Sequence, residues 1–234
     1  MKLPFIFIFN IDKTIIGDIN SLYYLIKTMN EKHYNIEDFK KRFIRPDLKD
    51  FIEFIKTKYK TVELYIYVNS NDNNNHIDWN IIIERIESFT NIKFNKPYFI
   101  INDEEKILGN IYDTIIDDLI PKYPVLEKNK KYVFDNQLLY IDHIENNLKD
   151  YPEKQLLCPK YNYKLFDNYI NELSNKKLQE DIIYQSIIGL INIKYIEINN
   201  KNINDTYFKT LISILKNDKT LILDNNKIKK INEY

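Results

Sequence analysis

Residues 3–9 form an unbroken apolar and aromatic run, LPFIFIF. The run has the length of a strand, and apolar side chains at both odd and even positions suit a central parallel strand covered on two sides. Residues 63–68 (ELYIYV) repeat the pattern, and 131–134 (KYVF) read as another strand. Residues 98–101 and 107–111 read as shorter strands. Between these runs the apolar spacing changes to three and four. Ser21 is placed to cap a helix carrying Leu22, Leu25, Ile26 and Met29 on one face. After Pro46, a residue suited to a first helical turn, Leu48, Phe51, Ile52 and Ile55 make a second helical face. A third helix covers 79–88, and the pattern is helical again from Leu165 to 191. Pro121 and Pro124 break 117–129 into loop or short helix. Strands alternating with helices predict an α/β, Rossmann-like fold, its sheet mostly parallel with helices on both faces. Ligands in such sheets bind at the carboxyl ends of strands. Three polar clusters are expected there: Asn10-Asp12-Thr14, Asn69-Ser70 and Asp135-Asn136.

The tail repeats itself weakly. Residues 195–203 (YIEINNKNI) resemble 220–228 (TLILDNNKI), with a helix-like stretch over 208–215 between them. The shape is that of one and a half leucine-rich repeats. A solenoid needs at least three repeats to bury its core, so this tail is not expected to fold alone. The expected organisation is a main domain over 1–180, with a small insertion at 71–116, and an extension over 181–234.

Composition narrows the function class. The 234 residues carry 34 basic and 34 acidic side chains, so no positive excess points to nucleic acid. One cysteine, Cys158, rules out a disulfide-built fold. No run reaches the roughly 18 apolar residues of a membrane span. The apolar start resembles a signal peptide only superficially, because Asn10-Ile11-Asp12-Lys13 follows without a small-residue cleavage site. The expectation is an intracellular protein with a reduced thiol. The chain has 42 Ile, 31 Asn and no Ala. No folding rule asks for that. It speaks of an AT-rich genome, such as that of a giant virus or an AT-rich protist.

The chemistry sits in Asn10-Ile11-Asp12-Lys13-Thr14, directly after the first strand. It resembles the strand followed by D-x-D-x-T of the haloacid dehalogenase superfamily. Arg45-Pro46-Asp47-Leu48-Lys49-Asp50-Phe51-Ile52-Glu53-Phe54, leading into Glu63 to Ser70, is similar to the "RPGxxEFL … ELVVFTAS" segment of one branch. That branch is the phosphatases of the RNA polymerase II C-terminal domain, the NLI-interacting-factor-like proteins. Tyr132-Val133-Phe134-Asp135-Asn136, continuing through Tyr140-Ile141-Asp142-His143-Ile144-Glu145-Asn146, is similar to its "VIVDNSP … YxxHPEN". The three segments occur in family order and cover residues 3 to about 150.

The resemblance implies a role for each matching position. Asn10 stands at the nucleophile and metal position. Asp12 would be the general acid and base and would lie near Mg²⁺. Thr14 would support the loop, and Ser70 with nearby backbone N–H groups would face phosphate. Asp135 and Asn136 would complete the Mg²⁺ shell. The family's lysine falls near Asp117-Asp118-Leu119, with Lys122 the nearest match and Lys130 or Lys131 further away.

The departures decide between two functions. An amide at position 10 is a far poorer nucleophile than a carboxylate and removes a charge from the metal site. Val68 occupies the position of the family's phosphate-binding Thr and cannot donate a hydrogen bond. The first reading is therefore a pseudophosphatase that binds a phosphoprotein or another protein partner, with Mg²⁺ held weakly if at all. The second is a working Mg²⁺-dependent phosphoserine or phosphothreonine phosphatase in which Asn10 is an engineered or unusual replacement. Plainer alternatives stand beside these roles. Asp12-Thr14 and Asp135-Asn136 also fit ordinary turns, and 69–75 fits a solvated Asn-rich loop. His143 fits local packing, and Trp79 the core. Cys158 has no evident base, and His33 and His76 lack partners at zinc-ligand spacing.

Overall fold

The computed structural model of the protein describes residues 2–17, 44–69, 78–101, 107–145, 147–161, 205–218 and 220–233. The expected helix from Ser21, the loop at 70–75, the helical stretch from 165 and the first copy of the tail repeat lie outside them. So do Ser70, His33 and His76.

Among the described residues, five strands build one parallel sheet in the order β3-β2-β1-β4-β5. They are β1 (Phe5–Asn10), β2 (Val62–Asn69), β3 (Phe99–Ile101), β4 (Leu138–Asp142) and β5 (Gln155–Leu157). β1 is central, pairing Phe5 with Val62 on β2 and Ile6 with Leu138 on β4, both parallel. That position explains its unbroken apolar run, since all six residues are buried. Side chains alternate between two cores. Phe5, Phe7 and Phe9 join Leu64, Ile66, Val68, Leu139 and Ile141 on one face. Ile6 and Ile8 join Tyr65, Tyr67, Leu138 and Tyr140 on the other.

Helices cover both faces. On the first lie α1 (Leu48–Tyr59) and α2 (Trp79–Thr90). Asp78 caps α2 by accepting from the N–H groups of Asn80 and Ile81. On the second lie α3 (Leu108–Leu119), a 3₁₀ turn at Pro124–Lys128 and α4 (Lys130–Gln137). The α/β, Rossmann-like architecture is as the hydrophobic pattern predicts.

Two expectations are corrected. Residues 131–134 are helix and not strand. Only Val133 of α4 is buried, while Tyr132 is 47% exposed, so the three apolar residues do not share the two-sided burial of a central strand. The strand is the following run, 138–142, buried throughout. Residues 107–111 likewise open α3, where Leu108, Ile111, Tyr112, Ile115, Ile116 and Leu119 keep helical spacing on one buried face. Within the stretch expected as a small insertion, β3 pairs with β2, and α2 and the start of α3 lie on opposite faces of the sheet.

The tail folds back onto the domain. α5 (Tyr207–Asn217) lies on α1, with Phe208 stacked on Phe51 at 5.1 Å between ring centroids. Lys58 Nζ donates to the carbonyls of Leu215 and Asp218, both at 2.7 Å, and so satisfies the end of that helix. The second repeat-like segment is not a strand. Asp224 caps α6 (Asn225–Asn232), and Leu223 is anchored by its N–H to the carbonyl of Asn136.

α6 seals the sheet edge. Asn232 Oδ1 accepts from the N–H of Leu157, and its Nδ2 donates to the carbonyl of Gln155, both at 2.9 Å. One side-chain amide thus replaces a neighbouring strand. Asn232→Ala is expected to cost about 1 kcal/mol, read as a lower urea midpoint with unchanged slope. Among the described residues no helix is long and apolar enough to cross a membrane.

Candidate functional site

The carboxyl ends of β1 and β4 lie side by side, Phe9 opposite Ile141, which sets Asn10 beside Asp142. Both side chains are buried, and Asn10 Nδ2 donates to Asp142 Oδ1 at 2.7 Å. The reverse amide orientation would set oxygen against oxygen, so the chemistry fixes which end of Asn10 faces the carboxylate.

Asp142 is saturated with donors. Its Oδ1 also accepts from the N–H groups of His143 (2.6 Å) and Ile144 (3.1 Å), the turn that an Asp at a strand end favours. Its Oδ2 accepts from Tyr140 Oη at 2.7 Å and from Asn147 Nδ2. Burial by itself would push this carboxyl up. The hydrogen bonds from His143, Asn10, Tyr140 and Asn147 outweigh it and hold the pKa below the ordinary Asp value.

The turn after β1 is packed against this carboxylate. The N–H groups of Thr14, Ile15 and Ile16 all converge on the carbonyl of Ile11. Lys13 adopts the left-handed conformation (φ 54°), sparsely populated for a non-glycine residue. Thr14 is buried, with its hydroxyl 3.1 Å from His143 Nδ1. Asp12 is partly exposed, and its Oδ2 is 3.3 Å from Lys13 Nζ. The structure thus brings together Asn10, Asp12 and Thr14, and adds Asp142 and His143.

The other expected site residues that the structure describes are elsewhere. Asp135 and Asn136 end α4, before β4 begins, so they lie at the opposite end of that strand from Asp142. Asp135 offers its carbonyl to Lys154 Nζ, and the Asn136 amide bonds back to Tyr132. Lys122 is also at the amino end. Its Nζ is 2.7 Å from Glu63, near the start of β2, where Tyr123 and Asn95 also donate. None of the three can serve a centre at Asn10. Val68 is buried in the core near the end of β2.

Mg²⁺ asks for several oxygen ligands in near-octahedral array. Here Asp142 accepts five hydrogen bonds, Asn10 turns its NH₂ toward it, and Asp12 faces an ammonium. The arrangement does not fit the metal that the family resemblance implies. Among the described residues it shows no activated nucleophile. Cys158, the nearest thiol candidate, is buried and its pKa is pushed up to about 11, chiefly by that burial. A half-open cleft of about 590 Å³ lies alongside, bounded by His143, Cys158, Lys160, Tyr207, Leu211 and Ile231.

Asp142 is the residue that motif matching passed over as a site residue. Its signal is in the sequence nonetheless. Leu138 to Ile141 is an apolar run ended by Asp, as Phe5 to Phe9 is an apolar run ended by Asn.

Comparison with known proteins adds little. No family model matches the chain, and no solved structure matches it. The chain is similar to reticulocyte-binding protein homolog 1 of Plasmodium falciparum (isolate 3D7), 25% identical over 238 residues. That alignment covers 88% of this chain and 8% of the Plasmodium protein. The chain therefore spans a small fraction of that protein's length, and the likeness carries no activity or partner to it.

Proposed function

We propose that this chain is a haloacid dehalogenase-like protein, resembling the phosphatases of the RNA polymerase II C-terminal domain, that has lost phosphoryl transfer and acts inside the cell by binding a phosphoprotein or another protein. The observation that carries the reading is the buried Asn10–Asp142 hydrogen bond. Aspartyl chemistry needs a carboxylate lone pair free to attack phosphorus and a cation to neutralise the charge that develops. At position 10 an amide donates a hydrogen bond where that carboxylate would stand. The neighbouring carboxylate of Asp142 is spent on holding the loops together.

The test is hydrolysis of a small aryl phosphate with and without Mg²⁺, for the chain and for Asn10→Asp side by side. The expected result is no turnover in either protein. Mg²⁺-dependent turnover by the unaltered chain overturns the reading. Turnover by Asn10→Asp alone reduces it to a single-residue switch in an otherwise competent site. Calorimetric titration with a phosphoserine peptide and its unphosphorylated twin then separates a phosphoprotein partner from another protein surface.

A further inference from the structure

We infer that α5 and the turn at the candidate site form one two-state unit joined by Arg45, so that undocking of the tail helix remodels the site. Arg45 is buried, and three of its nitrogens face in two directions. Nη1 donates to the carbonyl of Thr14 at 3.1 Å. Nε donates to Asp205 Oδ1 at 3.0 Å, and Nη2 stands 2.8 Å from Asp205 Oδ2. The guanidinium also lies over the ring of Tyr207 at 4.7 Å and of Tyr161 at 5.6 Å. Tyr161 in turn donates its N–H to the carbonyl of Lys13 at 2.8 Å. One cation therefore grips the turn at Thr14 on one side and the start of α5 on the other, where Asp205 also accepts from the N–H of Tyr207.

The coupling follows from the cost of the intermediate. If α5 leaves with Asp205 and Tyr207, Arg45 loses its paired carboxylate and an aromatic face together. A buried guanidinium left in that state is strongly disfavoured, so it must leave its seat and release the Thr14 carbonyl. Thr14 then no longer holds His143, which flanks Asp142. α5 is the natural mobile partner. It is 11 residues long, its N-cap residue Thr206 makes no side-chain cap hydrogen bond, and it buries only Phe208, Leu211 and Leu215. A helix of that length has little stability apart from its packing.

Amide hydrogen exchange on the full chain tests this, and it does not depend on whether the site binds or turns over phosphate. Lys58→Met loosens the far end of α5, at Leu215 and Asp218, without touching Arg45 or the turn. Exchange is expected to rise roughly five- to ten-fold in α5 and by a similar factor at residues 12–16, with β1 and β2 unchanged. Faster exchange in α5 with 12–16 unchanged overturns the proposal, and so does a uniform rise across all peptides. Arg45→Lys keeps the charge but loses the fork. In that background Lys58→Met is expected to speed α5 alone. A persistent joint response there overturns the role given to Arg45. Tyr207→Phe keeps the ring and drops a hydroxyl that makes no hydrogen bond, so it is expected to leave both segments unchanged.

Discussion

Asp142→Ala is expected to cost roughly 3–5 kcal/mol, because it strands several buried hydrogen-bond donors together. Five donors lose their acceptor at once: Asn10 Nδ2, Tyr140 Oη, Asn147 Nδ2 and the N–H groups of His143 and Ile144. A buried unsatisfied donor costs about 1–3 kcal/mol. The loss is large against a total stability of about 5–15 kcal/mol. It should lower the melting temperature on the order of 10 °C. Asp142→Asn keeps the shape and one acceptor but sets an NH₂ against donors, so it should lose less than Ala and still be destabilised. Equal stability of Asp142→Asn and the unaltered chain would mean that the charge is immaterial and the hydrogen bonds are weak.

The same network predicts a pH dependence. The folded carboxyl of Asp142 titrates below the ordinary value, so the unfolded chain takes up its proton first as the solution is acidified. Stability from this group is fully present above the unfolded value of about 3.9. It is lost as pH falls from there through the folded value. The gap between the unaltered chain and Asp142→Ala should be flat from neutrality to about pH 5 and narrow below about pH 4. Denaturant unfolding at several pH values measures it.

What could be read from the sequence was what the chain encodes locally. β1 and β2 declare themselves because a strand covered on both faces must be apolar at every position. α1 declares itself because Leu48, Phe51, Ile52 and Ile55 repeat at helical spacing. Residues 131–134 misled because three apolar residues in a row satisfy a strand template, although one turn of helix can bury Val133 alone. The displacement of the site by that misreading is a matter of register. Asp135-Asn136 and Asp142 both look like polar residues bordering an apolar run. Only knowing that 138–142 is the strand places the first pair at its start and Asp142 at its end. Contacts such as Phe51 with Phe208 or Arg45 with Asp205 join residues about 160 positions apart, and no local pattern signals them. Asn10, Asp12 and Thr14 were legible because they follow one strand consecutively. Their partner was not, because neighbouring strands are chosen by tertiary packing.

Asn10→Asp tests the same centre from the other side. The substitution sets a second carboxylate where an amide now donates at 2.7 Å. Two like charges about 4 Å apart repel by about 4 kcal/mol at an effective dielectric of 20. The expected destabilisation at neutral pH is of that order, limited by uptake of a shared proton. The added group is held protonated in the folded state, so its folded pKa lies above its unfolded value. Its contribution is then intact below about pH 4 and is lost as pH rises toward the folded value. The variant should therefore match the unaltered chain below about pH 4 and fall behind it steadily toward neutrality. Mg²⁺ is the discriminating addition. A centre built for the ion would use the new charge, and millimolar Mg²⁺ would restore the lost stability by binding only the folded state. Here Asp142 still accepts from Tyr140, Asn147, His143 and Ile144, and Asp12 still faces Lys13. Recovery with Mg²⁺ is accordingly expected to be slight, and no greater than with the same ionic strength of NaCl. Full recovery by Mg²⁺ alone would show that the hydrogen bonds around Asp142 yield readily to a cation. Asn10 would then be the one part missing from a working phosphatase.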